Sequence, residues 1–290
     1  MYPSVKALED EKRQEKKQKK ETSSTASTGD KGRLQPVASF ILMGLLYAAR
    51  YARFDLLRAI NHLACHITRW NSACDKRLHR LMNYVHSSLQ LRMVGWIGDK
   101  LDNIEPHLFA DADFSGCTFT QRSTTGLHLV LRGPNSSFPI AGASKRQGCV
   151  SQSTPEAELV ATSYSLRHHG LPAITLFETL LQRRVYLQVH EDNTAMIQCV
   201  KTGKNPTMRY LHRTHRVSVG WLHEAFRDDH LDLVYEMTAR MCADIYTKAF
   251  TDQVKSCCGP LGEGTTREVR VCEQVWLYVV QPVANPTHHT

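Results

Sequence analysis

Four acidic residues of this sequence lie in apolar segments, where an uncompensated charge is energetically costly. Asp111 stands inside a predicted strand, and Asp192 closes another strand just before a predicted helix. Glu158 and Asp244 lie among Ala, Leu, Val and Ile residues of predicted helices. Hard divalent cations prefer oxygen ligands, and Mg²⁺ takes a few carboxylates together with water and substrate phosphate. Four such acids from four separate elements therefore predict one cation-binding site.

The chemistry that such a site supports is phosphodiester hydrolysis. Two divalent ions about 4 Å apart can hold a phosphodiester and stabilise both the attacking and the leaving oxygen. We therefore expect two Mg²⁺ ions, for which Mn²⁺ could substitute, held by the four acids. No Cys/His cluster in the sequence has the spacing of a zinc site. Nothing in the sequence predicts a small-molecule cofactor.

Two glutamates compete for the same helix. Glu156 and Glu158 are two residues apart, roughly 200° around a helix, so both cannot enter one site. The segment from Ser153 to Glu156 has the spacing of a capping box, with Pro155 in the first turn. This spacing gives Glu156 a structural role and leaves Glu158 for the chemistry.

The remaining acids of these segments have ordinary interpretations as well. Asp113 shares a strand face with Asp111 and could be a ligand, but an outer or exposed position is favoured. Glu191 alternates away from Asp192 and is expected to be exposed. For Asp244, the alternative is a carboxylate that the dipole favours at a helix start.

The elements that must position these acids alternate between strands and helices. Periodicity and turn residues predict strands at 107–114, 126–131, 138–143, 186–192 and 230–235, and helices at 155–181 (with a break near 170–172), 193–203, 213–227 and 241–250. This order predicts an α/β domain with a mixed sheet over 105–252. One further strand-like run, 275–280, lies in an unassigned tail, 253–290.

The basic surplus of the chain lies before that domain. The net charge is +8, and residues 34–104 carry nine Lys/Arg against four Asp/Glu, whereas residues 105–252 carry fifteen of each. A surplus of this kind suits a polyanionic partner. Residues 1–38 are predicted to form a disordered basic tail or linker, and residues 39–104 a helical segment. The apolar run 38–49 is too short to span a membrane and predicts a buried helix; we expect an intracellular protein, cytoplasmic or nuclear.

Ordered motifs over about 140 residues carry a specific resemblance. They are FADADFSG (109–116), RSTTG (122–126), SKRQ (144–147), STPEAEL (153–159), EDNTA (191–195), RTH (213–215) and ADIYTK (243–248). In this order the motifs resemble the ribonuclease H domain at the C-terminal end of copia-type retrotransposon polyproteins. The resemblance implies a ribonuclease H-like fold, a five-stranded mixed sheet flanked by helices. It places the metal-binding acids of the family on Asp111, Glu158, Asp192 and Asp244, the residues reached above.

The resemblance also implies the activity. It predicts an endonuclease that cuts the RNA strand of an RNA–DNA hybrid and leaves 5′-phosphate and 3′-hydroxyl ends. The helical segment 39–104 looks like the end of the reverse transcriptase region of the same polyproteins, so the remainder of a reverse transcriptase could be a partner. No Tyr-x-Asp-Asp motif occurs in the sequence, and polymerase activity is not expected.

Four cations and one histidine are candidates for substrate contacts. Lys145, Arg146, Arg213 and Arg216 could bind the phosphates of the hybrid, whose shape rather than sequence would be recognised; the alternative is a solvated charge. His215 could assist product release or proton transfer, although an ordinary surface or core histidine is favoured. The rival function is a catalytically inactive nucleic-acid-binding module of the same fold. A third interpretation, an integrase- or transposase-like protein, lacks the zinc-binding His/Cys arrangement of that group.

Overall fold

A computed structural model describes residues 31–91, 93–117 and 119–248, and the backbone of 267–272 and 275–280. Its helices are α1 (Gln35–Ala52), α2 (Leu57–Ala64), α3 (Ser72–Ser87), α4 (Thr154–Ser165), α5 (Leu171–Leu181), α6 (Thr194–Thr202), α7 (Leu211–Thr214), α8 (Val219–Ala225) and α9 (Asp244–Thr247). Its strands are β1 (Glu105–Asp113), β2 (Thr124–Gly133), β3 (Ser136–Arg146), β4 (Leu187–Glu191), β5 (Leu231–Tyr235), β6 (Arg267–Cys272) and β7 (Val275–Val280).

The first five strands form one mixed sheet in the order β3-β2-β1-β4-β5. The pairs β1–β2 and β2–β3 are antiparallel, whereas β1–β4 and β4–β5 are parallel. All five predicted strands are confirmed. They include the third, β3, which forms a hairpin with β2 through the turn between them. The strand β7 covers the run predicted at 275–280 and pairs with β6 in a separate antiparallel sheet.

One face of the sheet is covered by the helices that come after β3. Leu108, Leu127 and Val189 pack there against Leu159, Leu166 and Phe177, all buried. The helices α4 and α5 form one continuous rod, because a π-helical turn at Leu166–Gly170 joins them. The break predicted near 170–172 is therefore absent: Pro172 lacks an N–H, and the wide turn ahead of it lets the rod continue.

The other face of the sheet is covered by the helical segment that precedes β1. Ala38, Leu42 and Ile60 are completely buried in one cluster with Phe109 of β1 and Tyr246 of α9. The predicted helical segment and the predicted α/β domain thus share a hydrophobic core. The helix α1 begins at Gln35, inside the range 1–38 assigned to the tail, since Pro36 suits a first helical turn. No helix within the described ranges combines the length and apolarity needed to cross a membrane.

Two predicted helices are shorter than expected. The helix predicted at 213–227 is replaced by α7 and α8, because Arg216 adopts a left-handed backbone conformation (φ 57°) and Ser218 caps α8 through the N–H of Trp221 at 3.1 Å. The helix predicted at 241–250 is reduced to α9, and residues 249 and 250 lie outside the described residues.

Candidate metal centre

Two of the predicted ligands come from adjacent parallel strands. Phe109 of β1 lies opposite His190 of β4, so the carboxyl ends of both strands meet at one edge of the sheet. Asp111 lies near the end of β1, and Asp192 comes directly after β4. Asn193 then accepts a hydrogen bond of 3.0 Å from the N–H of Met196 and starts α6. This cap turns the chain immediately after Asp192 and leaves its side chain at the edge beside Asp111.

The third ligand is brought by α4, which crosses β1. Ala157 and Ala161 pack on Ala112, and these small side chains allow a close approach of helix and strand. Glu158 is thereby buried, with 3% of its surface exposed. One carboxylate oxygen each from Asp111, Glu158 and Asp192 lies within 4.8 Å of the others. The fold thus brings together three of the four predicted acids.

The fourth predicted ligand, Asp244, lies at the start of α9 and outside this group of three. The helix α9 approaches β2 closely at Gly126, where a Cβ atom would lie 2.6 Å from Thr247 Cγ2. The Thr247 hydroxyl donates a short hydrogen bond to Asp111. Asp244 itself forms an ion pair of 2.6 Å with Lys248. Asp244 is close enough for its charge to act on Asp111, but its carboxylate is engaged by the cation that directly follows α9.

The electrostatics at Asp111 favour the uncharged carboxyl in the absence of a cation. Burial is the largest cause that raises its pKa, which lies at about 6, and the negative charges of Asp244 and Asp192 act in the same direction. The hydrogen bond from Thr247 and the charge of Lys248 act in the opposite direction. A cation at this position would restore the ionised form.

The surroundings of Glu158 disfavour its ionised carboxylate even more strongly than those of Asp111. Burial raises the pKa of its carboxyl well above the ordinary range, and the charges of Glu191, Asp111 and Asp192 add to the shift. Its Oε2 atom is buried and has no hydrogen-bond partner. Oxygen-only donors, accumulated negative charge and a partnerless buried oxygen together fit a hard divalent cation.

Glu191 is the residue that sequence reasoning misjudged: it was expected to be exposed and is completely buried. Its side chain does point away from Asp192, but α4 covers that face of the sheet. The Glu191 carboxylate accepts hydrogen bonds from the Thr162 hydroxyl at 2.9 Å and the Asn193 N–H at 3.2 Å. The sequence did contain a signal for this burial, since apolar residues occupy the alternate positions before Glu191, on the same face of the strand. A strand between two layers is buried on both faces, so that face is not open to solvent.

Glu156 has the predicted capping role and a second one. Its N–H donates to the Ser153 hydroxyl at 3.4 Å, and its carboxylate accepts from the N–H of Gln152 at 2.9 Å. The same carboxylate accepts from the Tyr210 hydroxyl at 2.7 Å and lies 3.1 Å from His215 Nε2, an ion-pair contact when the imidazole is protonated. The His215 side chain is only 2% exposed. His215 therefore sits in the protein interior against Glu156, as the core-histidine interpretation expects.

The predicted phosphate-contacting cations fall into two places. Lys145 and Arg146 end β3, where the exposed Lys145 places its Nζ atom 4.1 Å from the centroid of the Tyr164 ring. Arg213 and Arg216 are exposed, in and just after α7.

Asp113, the second acid of β1, takes the outer position that was favoured for it. It is half-buried, and its carboxylate accepts a hydrogen bond of 3.4 Å from the guanidinium of Arg58. Burial raises the pKa of Asp113, while Arg58 and Lys248 oppose that shift. Asp113 does not belong to the group of three carboxylates that could share one ion.

The strand order, the flanking helices and the acids at the edge of the parallel strands define a ribonuclease H-like domain. The chain therefore has the ribonuclease H-like domain that the resemblance to copia-type retrotransposon polyproteins predicts.

Comparisons with known proteins found curated relatives and several solved structures. The uncharacterized mitochondrial protein AtMg00810 of Arabidopsis thaliana is 32% identical over 117 residues, which cover 40% of this chain and 46% of that protein. The match thus spans less than half of the relative. No protein-family model matches the sequence.

The similar solved structures include a ribonuclease H and another nuclease. LC11-RNase H1 in complex with an RNA/DNA hybrid is 15% identical, with a TM-score of 0.34, over 49% of this chain and 94% of that one. The NurA nuclease of Sulfolobus solfataricus is 7% identical, with a TM-score of 0.30, over 60% of each chain. At these scores the likeness carries no argument, and the fold rests on its own strand order.

Proposed function

We propose that this chain is a retrotransposon-derived ribonuclease H of the copia type, which hydrolyses the RNA strand of RNA–DNA hybrids with two Mg²⁺ ions. The observation that carries the proposal is the convergence of Asp111, Glu158 and Asp192, whose carboxylate oxygens lie within 4.8 Å of one another. Buried carboxylates that repel each other are costly unless a cation neutralises them. The need for a cation is greatest at Glu158 Oε2, which is buried and has no hydrogen-bond partner.

The acids of this chain would divide between two ions. Asp111, Glu158 and Asp192 would hold one ion, and Asp244 would complete the site of the second. The bound ions would activate water and stabilise the leaving oxygen of the phosphodiester. The Thr247 and Thr238 hydroxyls donate to Asp111 and Asp192 and fix one oxygen of each carboxylate. Ligand orientation by such outer hydrogen bonds typically affects metal affinity strongly.

Substrate would be bound by its phosphates. Lys145, Arg146, Arg213 and Arg216 are the proposed contacts, since phosphate contacts position a duplex without recognising its sequence. The products would carry 5′-phosphate and 3′-hydroxyl ends.

The test is cleavage of a labelled RNA–DNA hybrid by the purified chain with Mg²⁺ or Mn²⁺, beside duplex DNA and duplex RNA. We expect cutting of the RNA strand of the hybrid alone. Asp192→Asn should abolish cutting, whereas Asp232→Asn, a matched change at an exposed residue of β5, should retain it. Cutting that persists in Asp192→Asn, or that needs no divalent ion, would refute the proposed site.

One observation favours the rival, a nucleic-acid-binding relic without activity. Asp244 is paired with Lys248 at 2.6 Å and lies outside the group of three acids. If that pair persists in the presence of Mg²⁺, the second ion lacks Asp244 as a ligand. The relic would bind the hybrid and cut neither strand, so the same assay separates the two functions.

A further inference from the structure

The helical segment is fixed next to the candidate metal centre by α2. Arg58 of α2 donates from Nε to the backbone carbonyl of Thr247 at 2.7 Å, and from its terminal nitrogen to Asp113 at 3.4 Å. Asn61 donates to the hydroxyl of Ser144 on β3 at 3.3 Å. These bonds join α2 to the end of β1, to α9 and to the end of β3. The turn that leaves α2 must therefore lie beside the edge that carries the acids.

The turn after α2 meets the loop after β1. In the turn Ile67–Arg69, the guanidinium carbon of Arg69 lies 3.6 Å from the centroid of the Phe119 ring. Phe119 belongs to the connection between β1 and β2, and its side chain is 70% exposed. The stacked guanidinium holds the ring in place and itself remains at the surface.

Arg69 and the two cations that end β3 are not paired with carboxylates in the part of the protein that the structure describes. Among the described residues, Arg69, Lys145 and Arg146 have no carboxylate oxygen within 4.0 Å, unlike Arg58 and Arg183. Arg146 lies close to the end of α2: burial raises the pKa of the Cys65 thiol, and the charge of Arg146 opposes that shift. The ends of α2 and β3 thus form one surface with uncompensated positive charge.

We propose that Arg69 and Phe119 extend the substrate-binding surface, so that the helical segment contacts the RNA–DNA hybrid directly. This inference rests on the proposed function and adds to it a contribution from outside the α/β domain. A planar guanidinium fits phosphate oxygens with two parallel hydrogen bonds. Arginine stacked on an aromatic ring keeps its donors oriented, and an exposed ring can stack on a nucleotide base or sugar. Arg146, which lies close to the end of α2, would continue the same line of phosphate contacts.

The test measures hybrid binding separately from cleavage. Fluorescence anisotropy with a labelled RNA–DNA hybrid is recorded on the full chain carrying Asp192→Asn, without divalent ions, over a range of salt concentrations. In this background, Arg69→Gln should raise the Kd roughly tenfold and lower the slope of log K against log salt by about 1, because one phosphate contact is lost. Phe119→Ala should raise the Kd roughly fivefold.

Arg184→Gln is the matched control, since Arg184 is exposed and precedes β4, at the end of the sheet opposite to the acids. It should change the Kd less than twofold. Equal effects of Arg69→Gln and Arg184→Gln, in variants with unchanged near-UV circular dichroism, would overturn the inference. If the Asp192→Asn chain binds no hybrid at all, the inference fails, whereas the proposed function is judged separately by cleavage with the wild-type chain and Mg²⁺. If it binds tightly and Arg69→Gln changes nothing, only the inference fails.

Discussion

The hydroxyl of Thr162 donates a hydrogen bond of 2.9 Å to the carboxylate of Glu191, and this bond ties α4 to the end of β4. The helix carries Glu158, and the strand end carries Asp192. Glu191 also accepts from the N–H of Asn193, the residue that begins the turn into α6. A completely buried acid thus braces the two elements that must hold their own acids at a fixed distance.

Thr162→Val should destabilise the protein by about 1–3 kcal/mol, because it removes a donor from a buried carboxyl while preserving shape. The free energy of unfolding in urea measures this loss. Thr175→Val is the control, since Thr175 is exposed and its hydroxyl bonds only within α5; its effect should remain within about 0.5 kcal/mol. Similar losses in both variants would mean that the bond to Glu191 contributes nothing specific.

Removal of the Asp111 charge should stabilise the protein when divalent ions are absent. The folded state holds the pKa of Asp111 at about 6, above the ordinary 3.8. A raised carboxyl pKa contributes stability that is fully present below about pH 4 and is lost as the pH rises through 6. In EDTA at pH 7, the free energy of unfolding of Asp111→Asn should therefore exceed that of wild type by roughly 3 kcal/mol, since each pKa unit corresponds to about 1.4 kcal/mol.

The advantage of Asp111→Asn should shrink towards pH 4, where the wild-type carboxyl is protonated. Addition of Mg²⁺ at pH 7 should reverse the order, since an ion that binds only the folded state stabilises wild type. Urea unfolding at the two pH values, with EDTA or Mg²⁺, measures both effects. Equal stability of the two proteins under all conditions would contradict the electrostatic account of the site.

Gly126→Ala should displace α9 from the sheet. An added methyl group would lie 2.6 Å from Thr247 Cγ2 and 2.8 Å from the carbonyl oxygen of Ala243, so the helix must move. We expect a loss of about 1–3 kcal/mol in unfolding free energy, and a weaker stabilisation by Mg²⁺ in thermal melts. At Gly148, by contrast, nothing lies within 4 Å of the added atom, so Gly148→Ala should leave both quantities near their wild-type values.

Tyr210→Phe should cost about 1–2 kcal/mol, because it removes one hydrogen-bond donor from the buried carboxylate of Glu156. His215→Ala should cost more, since it also leaves a cavity against the same carboxylate. His212→Ala changes an exposed neighbour in α7 and is the control. Urea unfolding gives the three values. An unchanged free energy of unfolding in His215→Ala would show that the contact with Glu156 does not stabilise the fold.

Leu42→Ala should cost about 2–5 kcal/mol, because Leu42 is completely buried between α1 and the rest of the core. Since the helical segment and the sheet share that core, unfolding should remain a single transition by both circular dichroism and tryptophan fluorescence. Two separate transitions would instead show that the helical segment folds independently. The matched change Phe40→Ala, at a residue that is 84% exposed, should cost far less.

The sequence by itself determined the strands, their order along the chain and the starts of α4 and α6. Alternation in β1 and β4, and the caps Ser153 and Asn193, are local patterns that the folded chain keeps. The exclusion of Glu156 from the site also had a local basis, because residues two positions apart on a helix, such as Glu156 and Glu158, face nearly opposite directions. The acids of the site stood out for a local reason as well, since each is a charge among apolar neighbours.

Only the tertiary structure decided what covers each surface. Alternation correctly turned Glu191 away from Asp192, but its burial depends on α4, which is distant in sequence. The contact between His215 and Glu156 depends on how the turn after α7 packs against the start of α4. Likewise, no local pattern shows that α1 and α2 close the second face of the sheet. Local sequence fixes the direction of a side chain relative to its own backbone, whereas burial and partners are set by elements that the fold brings from elsewhere.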